Sequence, residues 1–239
     1  MIELKNVSYK IDDQKIERNL DIIKDINLVF PKGKITVITG QNGSGKSTLI
    51  KLLMGIILPT EGKILYNNKD ITTTPISQRA NEGITLAFQQ PVKFKGIKVR
   101  DMLNFANKEN NNVSDACEYL ARVGLCAKNY IDRELDDTLS GGELKRIEIA
   151  ISLCKGGEVF LFDEPEAGID LWSFEDLVKI FNVLKGKTII IVSHQKRILE
   201  IADYILLLNK DDKPQFGQAN LILPKLDQPK CEVLGGANG

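Results

Sequence analysis

The chain has 239 residues, with 32 Lys and Arg against 32 Asp and Glu, so its formal net charge is zero. Its 43% hydrophobic and 27% charged residues are those of a folded globular protein and exclude a disordered chain. The length fits one large domain or two small ones, and the charge balance argues against a nucleic-acid binder, which carries a basic excess.

The N-terminus, Met1-Ile2-Glu3-Leu4-Lys5-Asn6, has no signal-peptide pattern. No apolar run approaches the roughly 18 residues of a spanning helix. A cytoplasmic chain is expected, with any membrane contact made through a partner. Cys117, Cys126, Cys154 and Cys231 form no C-x-x-C pair, which predicts reduced thiols.

Residues 1–85 mix short alternating segments with the turn signals Asp12-Asp13, Pro31-Lys32-Gly33 and Asn67-Asn68. They predict antiparallel strands wrapped around a first core strand, Ile35 to Thr39. That strand, Val159 to Phe162 and Thr188 to Val192 are nearly all apolar, as buried parallel strands are. All three end in glycine or polar residues. Ligands of open α/β sheets sit beyond the carboxyl ends of the strands, so the chemistry is expected at one sheet edge.

After the first strand, Gly40-Gln41-Asn42-Gly43-Ser44-Gly45-Lys46-Ser47 matches G-x-x-x-x-G-K-[ST], and a helix continues from Thr48. The loop's glycines let successive N–H groups face one point, and the helix start adds its positive end. Lys46 is expected to reach β- and γ-phosphates and Ser47 to ligate Mg²⁺. Residues 92–152 predict a helical insert, with helical spacing at Asp101 to Leu103 and Asp115 to Val123 and a polar loop at Asn110 to Asn112. Within it, Ser140 and Glu143 of Leu139-Ser140-Gly141-Gly142-Glu143 form a capping box at a helix start. Gly141 and Gly142 leave its first turn bare, as an anion site requires.

The second core strand ends in Asp163 and Glu164. Asp163 is placed to hold the Mg²⁺ shell, and Glu164 to polarise an attacking water. His194, the single histidine of the chain, follows the third strand and is expected at the γ-phosphate or that water. Residues 226–239 predict a loose tail.

The order of these motifs resembles the ATP-binding cassette (ABC) ATPase family, over about residues 2–225. Gly142 lies 21 residues before Asp163, after a phosphate loop, as in that family. The resemblance implies an α/β fold of the P-loop NTPase type, with one domain over residues 1–225. Its core sheet would carry an antiparallel β subdomain and the inserted helical subdomain. It implies ATP and Mg²⁺ as ligands and an ATPase. Gln89 would sense the γ-phosphate and Mg²⁺. Ser140, Gly141 and Gly142 would close on the ATP of a second subunit, and Asp170 would link the two sites of an ATP-dependent homodimer. Ile11 occupies the place where many members stack adenine on an aromatic ring. It offers burial without stacking, and GTP stays open.

Within the family, Leu86 through Gly96 and Ser193-His194-Gln195-Lys196-Arg197-Ile198-Leu199 resemble the Suf-type ATPase of iron–sulfur cluster assembly, which also lacks the aromatic. That resemblance implies a Suf-type scaffold protein as partner, carrying the cluster itself. The alternative is the ATP-binding subunit of a membrane transporter, with a transmembrane permease as partner. Pro165 after Glu164 is as in transporter cassettes. In either case residues 92–105 would dock the partner, with Phe94 and Val99 as anchors or, equally, as helical core.

Overall fold

Three apolar runs are buried on both faces, and the rest of the chain is layered against them. The computed structural model describes residues 1–13, 18–87, 92–107, 113–167, 171–210 and 213–226. Gln89, the loop at 110–112, Asp170, Cys231 and residues 227–239 of the tail lie outside them.

The chain begins with β1 (Ile2–Asp13), β2 (Arg18–Phe30), β3 (Ile35–Gly40), α1 (Lys46–Met54), β4 (Glu61–Tyr66), β5 (Lys69–Asp70), α2 (Ile76–Asn81) and β6 (Ile84–Ala87). It continues with β7 (Phe94–Lys98), α3 (Val99–Ala106), α4 (Val113–Arg122), α5 (Ala127–Tyr130), β8 (Glu134–Leu135) and α6 (Gly141–Lys155). It closes with β9 (Val159–Asp163), α7 (Leu171–Val183), β10 (Thr188–Val192), α8 (Lys196–Glu200), β11 (Tyr204–Leu208), β12 (Gln215–Gln218) and α9 (Ala219–Leu226).

The central sheet has the order β12-β11-β3-β10-β9-β6 and is parallel except at β12. Each core strand sends alternate side chains to opposite faces, the period of a strand. Val37, Phe160, Phe162, Ile189 and Ile191 join one buried cluster with Leu144 and Ile147 of α6. Ile38, Leu161, Ile190 and Val192 join the other, with Leu49 and Leu53 of α1 and with Ile2, Leu4 and Ile64 of the antiparallel sheet β2-β1-β4-β5. Burial on both sides explains why these runs show no polar alternation.

Register sets the site. Ile38 stands beside Val192, and Val192 beside Asp163, so the chain leaves β3, β10 and β9 along one edge.

Within residues 92–107 the structure departs from a purely helical reading. Phe94–Lys98 is a strand paired with Glu134–Leu135, tied by the Gly96 N–H to Glu134 Oε2 at 3.0 Å. Gly96 has φ 78°, a left-handed turn inside a short segment that periodicity does not reveal. Val99 is fully buried and cannot anchor a partner, whereas Phe94 is exposed. Among the described residues Cys117, Cys126 and Cys154 are free thiols, and no helix is long and apolar enough to cross a membrane.

Candidate functional site

The loop from Gly40 to Gly45 is shaped by close approach. Gly40 has φ 137°, and a Cβ there would stand 1.9 Å from the carbonyl oxygen of Leu208. At Gly45, φ 91°, a Cβ would meet the Ile22 carbonyl oxygen at 2.7 Å. Only glycine fits either place. Gly45 is also the N-cap of α1 and offers no side-chain cap, which leaves the first N–H groups of the helix to face outward. Asn42 and Gly43 are exposed beside it. Ser44 is buried, and its Oγ makes no hydrogen bond among the described residues.

Lys46 is 6% exposed, and its Nζ donates to the carbonyls of Gly40 at 3.0 Å and Gln41 at 2.8 Å. Burial pulls its ammonium below the ordinary lysine value, against the opposing charges of Glu164 and Asp163. Ser47 Oγ donates to Asp163 Oδ1 at 3.0 Å, joining the start of α1 to the end of β9. Thr48 is half-buried one residue on. Asp163 is itself buried, which pushes its carboxyl up; the Ser47 hydrogen bond pulls it down and the Glu164 charge adds to the rise.

Glu164 turns the chain with φ 46°, a left-handed conformation unusual for a branched-out carboxylate residue. Its N–H bonds the Val192 carbonyl at 3.0 Å. His194 follows on an exposed turn. Partial burial lowers its pKa first, and the Lys46 charge lowers it further, while Glu164 opposes both. The phosphate loop, Asp163, Glu164 and His194 thus share one electrostatic neighbourhood, as their sequence context predicts.

Ser140, Gly141 and Gly142 stand elsewhere. Ser140 Oγ accepts from the Glu143 N–H at 3.2 Å, and Glu143 Oε2 accepts from the Ser140 N–H at 2.7 Å, so the capping box is formed. Among the described residues, no hydrogen bond links these three to the phosphate loop. Ile11 is 44% exposed and paired with Leu20 on the β1–β2 ribbon. Gln89 and Asp170 fall outside the described residues.

Lys145 and Glu166 are among the buried or half-buried charged groups that drew no reading from the sequence. Lys145, two residues after Glu143, is fully buried, with Nζ 3.2 Å from Glu148 Oε2. Glu166, two residues after Glu164, accepts from Ser193 Oγ at 2.5 Å. For Glu166 a signal existed, a third carboxylate within four residues of Asp163. For Lys145 there was none, since a lysine on a helix reads as a solvated one.

The donor set fits a magnesium nucleotide. The glycine-lined cradle and the orphaned Ser44 hydroxyl suit phosphate oxygens. Ser47 and Asp163 place two hard oxygens side by side, and Mg²⁺ keeps few protein ligands when phosphates supply the rest.

Residues 23–167 match the family model described as ABC transporter. An uncharacterised ABC transporter ATP-binding protein, MJ0035 of Methanocaldococcus jannaschii, is 39% identical over 210 residues, covering 83% of this chain and 84% of that protein. The energy-coupling factor transporter ATP-binding protein EcfA2 of Spiroplasma kunkelii is 35% identical over 223 residues, covering 87% of this chain and 72% of that one. The dimeric structure of a post-hydrolysis state of the ATP-binding cassette MJ0796, bound to ADP and Pi, superposes with a TM-score of 0.82. It shares 24% identity over 92% of this chain and 99% of its own, a likeness of fold. Both relatives are named as transporter ATP-binding proteins, and neither name refers to iron–sulfur assembly. With phosphate loop, acidic strand end and family model in agreement, the chain belongs to the ABC transporter family as one of its ATPases, using ATP with Mg²⁺.

Proposed function

We propose that the chain is the ATP-binding subunit of a membrane transporter, and that two copies close head to tail around two ATP molecules to drive a permease. The observation that carries this reading is the naming of its relatives as transporter ATP-binding proteins over most of their length. A groove of about 790 Å³ supports it, with Val92, Phe94 and Phe105 on its wall at 51%, 38% and 84% exposure. An apolar surface of that kind asks for a partner.

In this reading Lys46 leaves its loop carbonyls for the β- and γ-phosphates, and Ser44 with the loop N–H groups holds their oxygens. Ser47, Asp163 and Gln89 hold the Mg²⁺. Bound Mg²⁺ would neutralise phosphate charge and polarise the scissile bond. Glu164 accepts a proton from the attacking water, and His194 holds the γ-phosphate edge of the site. Ser140, Gly141 and Gly142 present the bare start of α6 to the ATP of the other copy, and Asp170 lies between the two sites. With Ile11 in place of an aromatic ring, base selectivity is low.

A Suf-type scaffold remains the second reading, favoured by Leu86 through Gly96 and by the stretch Ser193 to Leu199. Both partners would use the same groove. A photoreactive residue at position 105, irradiated in cells of the native host, separates them. Capture of a multi-span protein supports the permease, whereas capture of a soluble scaffold overturns it.

Dimer closure has its own test. Glu164→Gln should slow hydrolysis by about 10²–10³ and trap an ATP-bound dimer, seen by light scattering. Turnover equal to wild type would remove Glu164 from the mechanism.

A further inference from the structure

Glu166 stands in the turn after β9, and Ser193 is the first residue after β10. Ser193 is fully buried. It ties three segments together. Its N–H bonds the Ile38 carbonyl at 3.1 Å, on the strand that leads into the phosphate loop. Its hydroxyl donates to Glu166 Oε1 and accepts from the Gln195 N–H at 3.0 Å, at the start of α8. The backbone N–H of His194 faces the same Glu166 carboxylate. The His194 side chain is exposed. The segment that carries it therefore takes its position from the buried Ser193 and the Glu166 carboxylate bonded to it.

Glu166 is costly to keep. Its other oxygen, Oε2, is buried and makes no hydrogen bond among the described residues. Burial pushes the carboxyl up, and the neighbouring Glu164 charge pushes the same way. The Ser193 hydrogen bond opposes that rise. A carboxylate retained under those conditions calls for a role beyond filling space.

We propose that Glu166 is a positioning residue for hydrolysis: through Ser193 and the His194 backbone it fixes the turn that aims the His194 imidazole into the nucleotide site. The inference rests on the reading of His194 as part of that site. Glu166 acts through the turn and does not itself meet the nucleotide.

The experiment is steady-state ATP hydrolysis by the full chain. The variants are Glu166→Ala, Glu166→Gln, Ser193→Ala, His194→Ala and the double variant E166A/H194A. Loss of a group that orients a catalytic neighbour lowers activity about 10-fold or more. Glu166→Ala and Ser193→Ala should show that loss in kcat with KM for ATP unchanged. Glu166→Gln keeps an acceptor for the Ser193 hydroxyl and should recover most of the rate. The double variant should be no slower than His194→Ala alone, because the two act in one unit.

Equal losses in the Gln and Ala variants, or multiplying losses in the double variant, would overturn the proposal. So would a normal rate in Glu166→Ala while His194→Ala is slow. A wild-type rate in His194→Ala instead sinks the underlying reading, and the proposal with it. Should Glu166→Ala fail to fold, Ser193→Ala breaks the same bond from the other side and decides alone.

Discussion

His194 is held toward its neutral form. Burial and the Lys46 charge both disfavour the imidazolium, and Glu164 only partly opposes them. The native state therefore binds its proton more weakly than the unfolded chain does. Its contribution to stability is complete above the ordinary imidazole value and is lost as pH falls through the lowered one. The same sign governs turnover. A neutral imidazole can accept a hydrogen bond from the attacking water, and an imidazolium cannot. The kcat/KM profile, which reports the free protein, should then fall on its acid side below the ordinary histidine range. His194→Ala should slow hydrolysis and erase that limb; a limb that persists unchanged assigns it to another group. Gly141 argues differently. A Cβ built there meets nothing within 4 Å, so its own chain does not require glycine. Gly141→Ala should stabilise the fold by about 0.5–1 kcal/mol, as alanine does inside a helix. It should at the same time weaken ATP-dependent pairing, because the added methyl stands on the bare first turn. Thermal melting and light scattering read the two effects separately, and unimpaired pairing would free Gly141 of that role.

Elements were legible in proportion to how local their signals are. β3, β9 and β10 announce themselves because burial on both faces makes them nearly all apolar. The phosphate loop and the capping box at Ser140 announce themselves because backbone geometry there demands particular residues. β7 and β8 do not, since one is interrupted by Gly96 and the other is two residues long; their pairing is a tertiary event. Glu166 lay in plain view but its partner, Ser193, is 27 residues away. Arg79 is the sharpest case. A cation on a six-residue helix reads as surface, yet it is fully buried and donates to five carbonyls, those of Leu52, Leu53, Ile71, Thr72 and Thr74. Two of the five close the C-terminal end of α1, whose other end forms the phosphate cradle. Burial pulls the guanidinium below its ordinary value, the Glu82 charge opposes that, and the five carbonyls satisfy its donors. Arg79→Met should cost about 3 kcal/mol or more by orphaning these acceptors. Urea denaturation checks it, and a loss under about 1 kcal/mol would mean that water replaces the arginine.

At the scale of the molecule, the walls of the apolar groove are elements whose ends carry residues proposed to hold the nucleotide. α6 lines it with Leu144, Ile147 and Ile151 and begins at Ser140. β6 lines it with Thr85 and Leu86 and leads toward Gln89. Two packed elements shift as rigid bodies more readily than they deform, so a partner wedged between them feels what happens at their ends. Phe105 is the most exposed large apolar side chain on that wall, at 84%. Phe105→Asp leaves the core untouched and should keep the melting temperature within about 2 °C. An aromatic anchor lost from an interface centre is worth about 2 kcal/mol or more, so co-purification with the partner should fall at least tenfold. Leu221 on α9 is 62% exposed and lies outside the groove, which makes Leu221→Asp the matched control. If both variants lose the partner equally, general surface hydrophobicity holds it; if only Phe105→Asp does, the groove between α6 and β6 is where it docks.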